Sequence, residues 1–199
     1  MHIDFILDIG CLWSYITWRH LQTAMRSFPR PVEITPFFVP PSSFFPGFSI
    51  NPADRARLLR GKAEPLLRQS GIDVCFDALP DLPEDVSPPC RLISHAFARQ
   101  KGNKVLNDVF DAFFISGQNI CDTEILTRIA DKNGLSSVFF RQCQPAVLPR
   151  MIYKEPLRAV PCLIFDRKTM IFGAQSVACL KNMLSLAFCL REETGIEQI

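Results

Sequence analysis

The chain has 199 residues, is 48% hydrophobic and 21% charged, and carries a formal net charge of +2. An apolar fraction near one half, with 17 Phe, can offset the entropy of ordering, so a disordered chain is excluded. The balanced charge gives no electrostatic reason to expect nucleic acid, and no run approaches the ~20 apolar residues of a membrane helix.

Met1-His2-Ile3-Asp4 lacks the basic start and apolar run of an export signal, so the expected location is cytoplasmic. Eight cysteines make up about 4% of the chain, below the ~8–10% of a disulfide scaffold. In a reducing compartment most would be free thiols packed as small hydrophobes. No two are spaced C-x-x-C and the histidines sit far from any cysteine pair, so no metal site is expected.

In chain order, Ile3, Phe5 and Leu7 alternate with Asp4 and Asp8, which predicts a strand over residues 2–8. After Gly10, the spacing of Leu12, Tyr15, Ile16, Leu21 and Met25 predicts a helix over 11–28, stopped by Pro29 and Pro31. Residues 32–39 read as a second strand, completing a βαβ unit with parallel strands. Proline, serine and phenylalanine crowd residues 40–52 without period, which marks a loop and the start of an insertion.

From there to about residue 148 the pattern is helical. Leu92, Ile93, Ala96 and Phe97 form one apolar stripe, Val105 to Phe114 a second, and Ile125 to Ala130 a third. Asp122 is placed to cap the last of these helices and Gly134 to end it. Residues 161–166 and 169–173 then read as a hairpin around Asp166-Arg167-Lys168, followed by a helix over 177–190. This is an α/β chain with an all-helical insertion.

Three places carry chemistry. Cys11 stands at a strand-to-helix junction, where unpaired amides and the helix dipole favour a thiolate and predict a pKa below the ordinary thiol value. Ser14 shares its helix face and can donate a hydrogen bond to the sulfur. Packing alone would also account for Cys11. Val160-Pro161 precedes the third strand, where proline is tolerated in any case; a cis bond there would expose the Val160 backbone to a bound peptide or glutathione. Gln175-Ser176 could offer donors to a carboxylate, or Ser176 could simply cap the last helix.

Together these motifs resemble the DsbA-like family, including FrnE-type polyketide oxidoreductases and, more distantly, 2-hydroxychromene-2-carboxylate isomerases and kappa-class glutathione transferases. Asp8-Ile9-Gly10-Cys11-Leu12-Trp13-Ser14-Tyr15 is similar to the family's D-x-x-C-P-W-C-Y, and Arg91-Leu92-Ile93-Ser94-His95-Ala96 to its H-R-L-x-x-x-A helix. Ala112-Phe113-Phe114, Gly117 and Thr123-Glu124-Ile125-Leu126 resemble A-[YF]-F-x-x-G…D-x-E-x-L. Val160-Pro161, Phe165 and Gly173-Ala174-Gln175 resemble the G-V-P-x-F…S-G-A-Q ending.

The resemblance implies a thioredoxin-like fold, a mixed four-stranded sheet with a core of residues 1–40 and 157–199 and a helical insertion and return connection at 41–156. It implies thiol-disulfide chemistry with Cys11 as nucleophile and Ser14 as its hydrogen-bond partner. Trp13, Val160, Pro161, Gln175 and Ser176 would contact substrate or glutathione. No permanently bound cofactor is implied. Glutathione would be a co-substrate, the partner a small or protein thiol, and a homodimer stays open.

The departures from the pattern bear on mechanism. Ser14 stands where the family has its second cysteine, Leu12 where it has proline, and Ala159 where it has glycine. An internal C-x-x-C disulfide cannot form. Cys11 would act alone, or with Cys162 unless strand alternation turns that thiol away. Two other readings stand beside this one: a glutathione-dependent isomerase or transferase of a small aromatic substrate, and a binding or adaptor module without chemistry.

Overall fold

The structure is a computed structural model that describes residues 1–39, 60–68, 71–83, 85–136, 144 and 157–193. The loop expected at 40–52 lies outside these residues.

β1 (His2–Leu7) pairs in parallel with β2 (Glu33–Phe38), from His2 opposite Glu33 to Leu7 opposite Phe38. A parallel pair needs a crossover, and α1 (Leu12–Arg26) provides it. β3 (Cys162–Phe165) runs antiparallel to β1, with Ile6 opposite Cys162, and pairs in turn with β4 (Thr169–Phe172). The order is β2-β1-β3-β4. Asp166 and Arg167, both at positive φ, form the turn of the β3–β4 hairpin, as the right-handed strand twist favours.

Strand alternation sorts the sheet's side chains into two clusters. Ile3, Phe5, Leu7, Leu163 and Phe165 join the main core, which continues without a break into the helices. Ile6, Phe37, Cys162 and Ile164 form a smaller cluster. Further helices are α2 (Ser87–Phe97), α3 (Gly102–Phe114), α4 (Thr123–Lys132) and α5 (Val177–Glu193). Among the described residues every strand lies in 1–40 or 157–199, and residues 60–68 are helical. The pattern expected to be helical throughout is interrupted at 71–83 and 85–86, which are irregular apart from one 3-10 turn at Phe76–Ala78. Pro80 and Pro83 remove the amide donors a helix would need there.

α1 is held from both sides. Phe5 of β1 stacks on Trp18 at 5.9 Å, and Tyr15 stacks on Phe114 of α3 at 5.0 Å. Both polar tips reach α3: Tyr15 Oη donates to Asp111 (2.9 Å) and Trp18 Nε1 to Asn107 (2.7 Å). The start of α1 is therefore a fixed point of the fold.

Helix ends follow their local chemistry. Asp122 accepts the Glu124 amide at 2.7 Å as the N-cap of α4, and Gly134, at φ +61, ends that helix. Replacing Asp122 with alanine leaves that amide without its protein acceptor. Asp122→Ala is expected to cost about 1 kcal/mol, read as a lower urea midpoint with an unchanged slope. No helix among the described residues is long and apolar enough to cross a membrane.

Candidate thiol site at the start of helix α1

β1 ends at Leu7, and Asp8-Ile9-Gly10 turn the chain into α1. The Asp8 carboxylate accepts the Gly10 amide at 2.8 Å, and its backbone oxygen accepts the Cys11 amide at 3.1 Å. A Cβ on Gly10 would lie 2.7 Å from Leu82 Cδ1, so Leu82 rests directly on this turn.

Cys11 is the N-cap of α1, with extended backbone (φ −88°, ψ 117°) and no oxygen to offer as a cap. An N-cap side chain faces the amides two and three residues on, here Trp13 and Ser14. Both of those amides, and the Ser14 hydroxyl, hold the Cys11 pKa down. The sulfur thus occupies the place of a capping oxygen, with thiolate-favouring donors turned toward it. Ser14 itself is fully buried, and its Oγ has no partner in ordinary hydrogen-bond geometry. The hydroxyl is close enough to help a thiolate without being aligned on the resting thiol.

These donors do not win. Desolvation by the surrounding protein is the largest influence on Cys11 and raises its pKa, and the Asp8 carboxylate raises it further. The lowered pKa expected from the junction is corrected accordingly. The residue keeps partial exposure, yet the sulfur is packed closely enough for burial to outweigh the helix amides. Asp8, three residues upstream in the D-x-x-C stretch, was not singled out from the sequence; an acid so near the candidate thiol was the available signal.

Asparagine at position 8 keeps an oxygen that can accept the Gly10 amide while it removes the negative charge and turns the other oxygen into an amide nitrogen. Asp8→Asn is expected to lower the Cys11 pKa and to speed its reaction with a small disulfide at neutral pH about two- to tenfold. Thiolate absorbance titrated against pH reads the first effect directly.

The other expected site residues separate into two groups. Trp13 is half-buried and packs on the main core beside Cys11. The Val160-Pro161 bond is cis, as expected. Pro161 directly precedes β3, whose first residue, Cys162, pairs with Ile6 near the end of β1, so the cis bond lies at the end of the sheet from which β1 turns toward Cys11, while the Val160 side chain packs on the smaller cluster. Gln175 and Ser176 lie elsewhere. The Gln175 carbonyl meets His20 Nδ1 at 2.6 Å, and His20 is nine residues along α1 from Cys11, about 14 Å of helix. Gln175 Nε2 donates to the Phe172 carbonyl, and Ser176 Oγ accepts the Cys179 amide, so Ser176 caps α5.

Cys162 is fully buried among Ile6, Phe37 and Ile164, in the smaller cluster and away from the face that packs on α1, and burial pushes its thiol up to about 12. Alternation does turn it away. Cys90 is also buried with a strongly raised pKa, and Cys121 is pushed up to about 11 by burial and by Asp85. Among the described residues no group of three or more His, Cys, Asp or Glu is placed to hold a metal ion.

The sequence profile of the DsbA-like thioredoxin domain matches residues 2–144. The chain belongs to the DsbA-like thioredoxin family. The matched span includes the whole turn at residues 8–14. Solved structures of the same fold extend the likeness through β3, β4 and α5. A probable DsbA oxidoreductase from Streptomyces coelicolor superposes with a TM-score of 0.73 at 20% identity, covering 100% of this chain and 94% of that one. A 2-hydroxychromene-2-carboxylate isomerase gives 0.67 at 14% identity, with 100% of both chains covered. The cytosolic disulfide reductase DsbM from Pseudomonas aeruginosa, solved with GSH, gives 0.61 at 17% identity and covers 98% of this chain and 99% of that one.

Proposed function

We propose that this protein is a thiol-disulfide oxidoreductase of the DsbA family that works through one thiol, Cys11, with glutathione or a protein thiol as its partner. The observation that carries the reading is Cys11 at the N-cap of α1, its sulfur facing the Trp13 and Ser14 amides in a C-x-x-S sequence.

In this reaction the Cys11 thiolate attacks one sulfur of a disulfide. A Cys11 mixed disulfide forms and the other sulfur leaves as a thiolate. Ser14 has no thiol with which to displace it, so a second thiol from solution attacks the substrate-derived sulfur. That step frees Cys11 and returns a disulfide to solution. Trp13 and the Val160 backbone, beside the same turn, would border the bound substrate. A reducing cytoplasm, where free cysteines persist, suits this cycle, and the DsbM structure with GSH supports glutathione as the small thiol.

One observation favours a second reading, a binding module without chemistry: the raised Cys11 pKa, since a catalyst needs an activated thiol. An isomerase or transferase role would instead use the buried Ser14 hydroxyl to hold a glutathione thiol. Mass mapping after incubation with oxidised glutathione separates these. The expected product is one glutathione on Cys11, forming about tenfold faster per pH unit below its pKa because only the thiolate attacks. Adducts on the exposed Cys75 and Cys189 with Cys11 unmodified would remove the proposal.

A further inference from the structure

A cavity of about 420 Å³ opens between the last turns of α1, α3 and the start of α5. It is distinct from the thiol site, because Arg19 is already eight residues, about 12 Å of helix, beyond Cys11. Its size falls within the usual range for small-molecule sites.

Five α1 residues line it, and four of them, Arg19, Gln22, Thr23 and Arg26, form a polar row beside His20. Their spacing of i, i+3, i+4 and i+7 puts them on one helix face, with the backbone positions of the two arginines about 10 Å apart along the axis. Asn107 of α3 and Val177 of α5 close the sides. Among the described lining residues the fixed charges are these two guanidinium groups, with no carboxylate.

The donors are only lightly committed. Arg19 Nη1 lies 3.6 Å from Asp111, a carboxylate outside the lining that also accepts Tyr15. Arg26 Nη2 donates to Thr23 Oγ1 at 2.9 Å, a neutral partner. Asn107 Oδ1 is taken by Trp18, so the amide nitrogen is the end that Asn107 has to offer. Val177 adds the positive end of α5. His20, which also borders the space, is turned to the Gln175 carbonyl through Nδ1.

We propose that this cavity binds an elongated dianion, a small molecule with a carboxylate or phosphate group at each end. Arg19 and Arg26 each take one head, since a guanidinium pairs with either group through two parallel hydrogen bonds. Asn107 and Gln22 contact the middle of the ligand.

Calorimetric titration of the full chain at fixed ionic strength tests this with three probes: suberate, hexane-1,6-bisphosphonate and octanoate, which has one charged end. At least one dianion is expected to bind at least about tenfold more tightly than octanoate, and whichever binds identifies the head group. Arg26→Gln, in the exposed last turn, and Arg19→Gln are each expected to weaken it about tenfold. Cys11→Ser is expected to leave binding unchanged. Absence of binding by both dianions, octanoate matching them, or full affinity in Arg26→Gln overturns the proposal.

Discussion

Cys11→Ala is expected to reduce glutathione-linked thiol-disulfide turnover to the uncatalysed background while leaving the protein folded. The chemistry requires a sulfur that can become a thiolate and be reached by a disulfide. Cys90 and Cys162 fail on both counts, being buried with pKa values pushed far up. Cys121 is only partly exposed and precedes the Asp122 N-cap of α4, so it does not itself stand at an N-cap. Cys75 and Cys189 are exposed, but neither lies at a junction between a strand and an α-helix. Cys11 alone among the described cysteines combines partial exposure with the N-cap of an α-helix. Its side chain makes no capping hydrogen bond, so alanine should cost no more than about 1 kcal/mol. The measurement is turnover of a glutathione mixed disulfide, with thermal unfolding as the folding control. Full turnover in this variant would assign the chemistry to another thiol.

Much of the fold was legible because each element satisfies its own local rule. Ile3, Phe5 and Leu7 share one face of β1, and the structure buries all three in one core. Val105, Val109, Phe110, Phe113 and Phe114 recur at helical spacing, and α3 buries them together. Asp122 and Gly134 end α4 as their chemistry requires. The 71–83 segment was less legible. Its turns are fixed by contacts from distant parts of the chain, such as the Cys75 amide on the Phe114 carbonyl and Leu82 on Gly10.

The site divides in the same way. Cys11, Trp13 and Ser14 are joined by one helical turn, so spacing alone places them together. The sign of the Cys11 pKa was not legible. Sequence shows the helix amides that favour the thiolate, but the protein packed round the sulfur is a tertiary fact. Gln175 and Ser176 illustrate the same limit. Nothing in their own residues says at which turn of α1 the start of α5 will dock, and the structure sets it at His20.

Ser14→Cys is expected to create an internal disulfide between Cys11 and the new thiol, and to raise dithiol oxidase activity at least about tenfold. Residue 14 is the third helical residue after the Cys11 N-cap, and its hydroxyl already influences the Cys11 sulfur. A thiol there would attack the Cys11 mixed disulfide from within the same turn, replacing an encounter in solution by an intramolecular step. The scaffold should accept it. Ser14 is fully buried and its hydroxyl has no partner in ordinary geometry, so the change removes an unsatisfied polar group and adds a slightly larger, weakly polar atom. The added sulfur volume opposes that gain, and the net effect on stability should stay within about 1 kcal/mol. Oxidised glutathione should then yield a protein two hydrogens lighter, with Cys11 linked to position 14 in the peptide map and no glutathione retained. Oxidation of a reduced dithiol peptide should accelerate in parallel. If the variant instead keeps glutathione on Cys11 as the parent is expected to do, and oxidises the peptide no faster, then the side chain at position 14 does not reach the sulfur in a reactive geometry. The single-thiol cycle would then reflect the shape of this turn rather than the lack of a second cysteine.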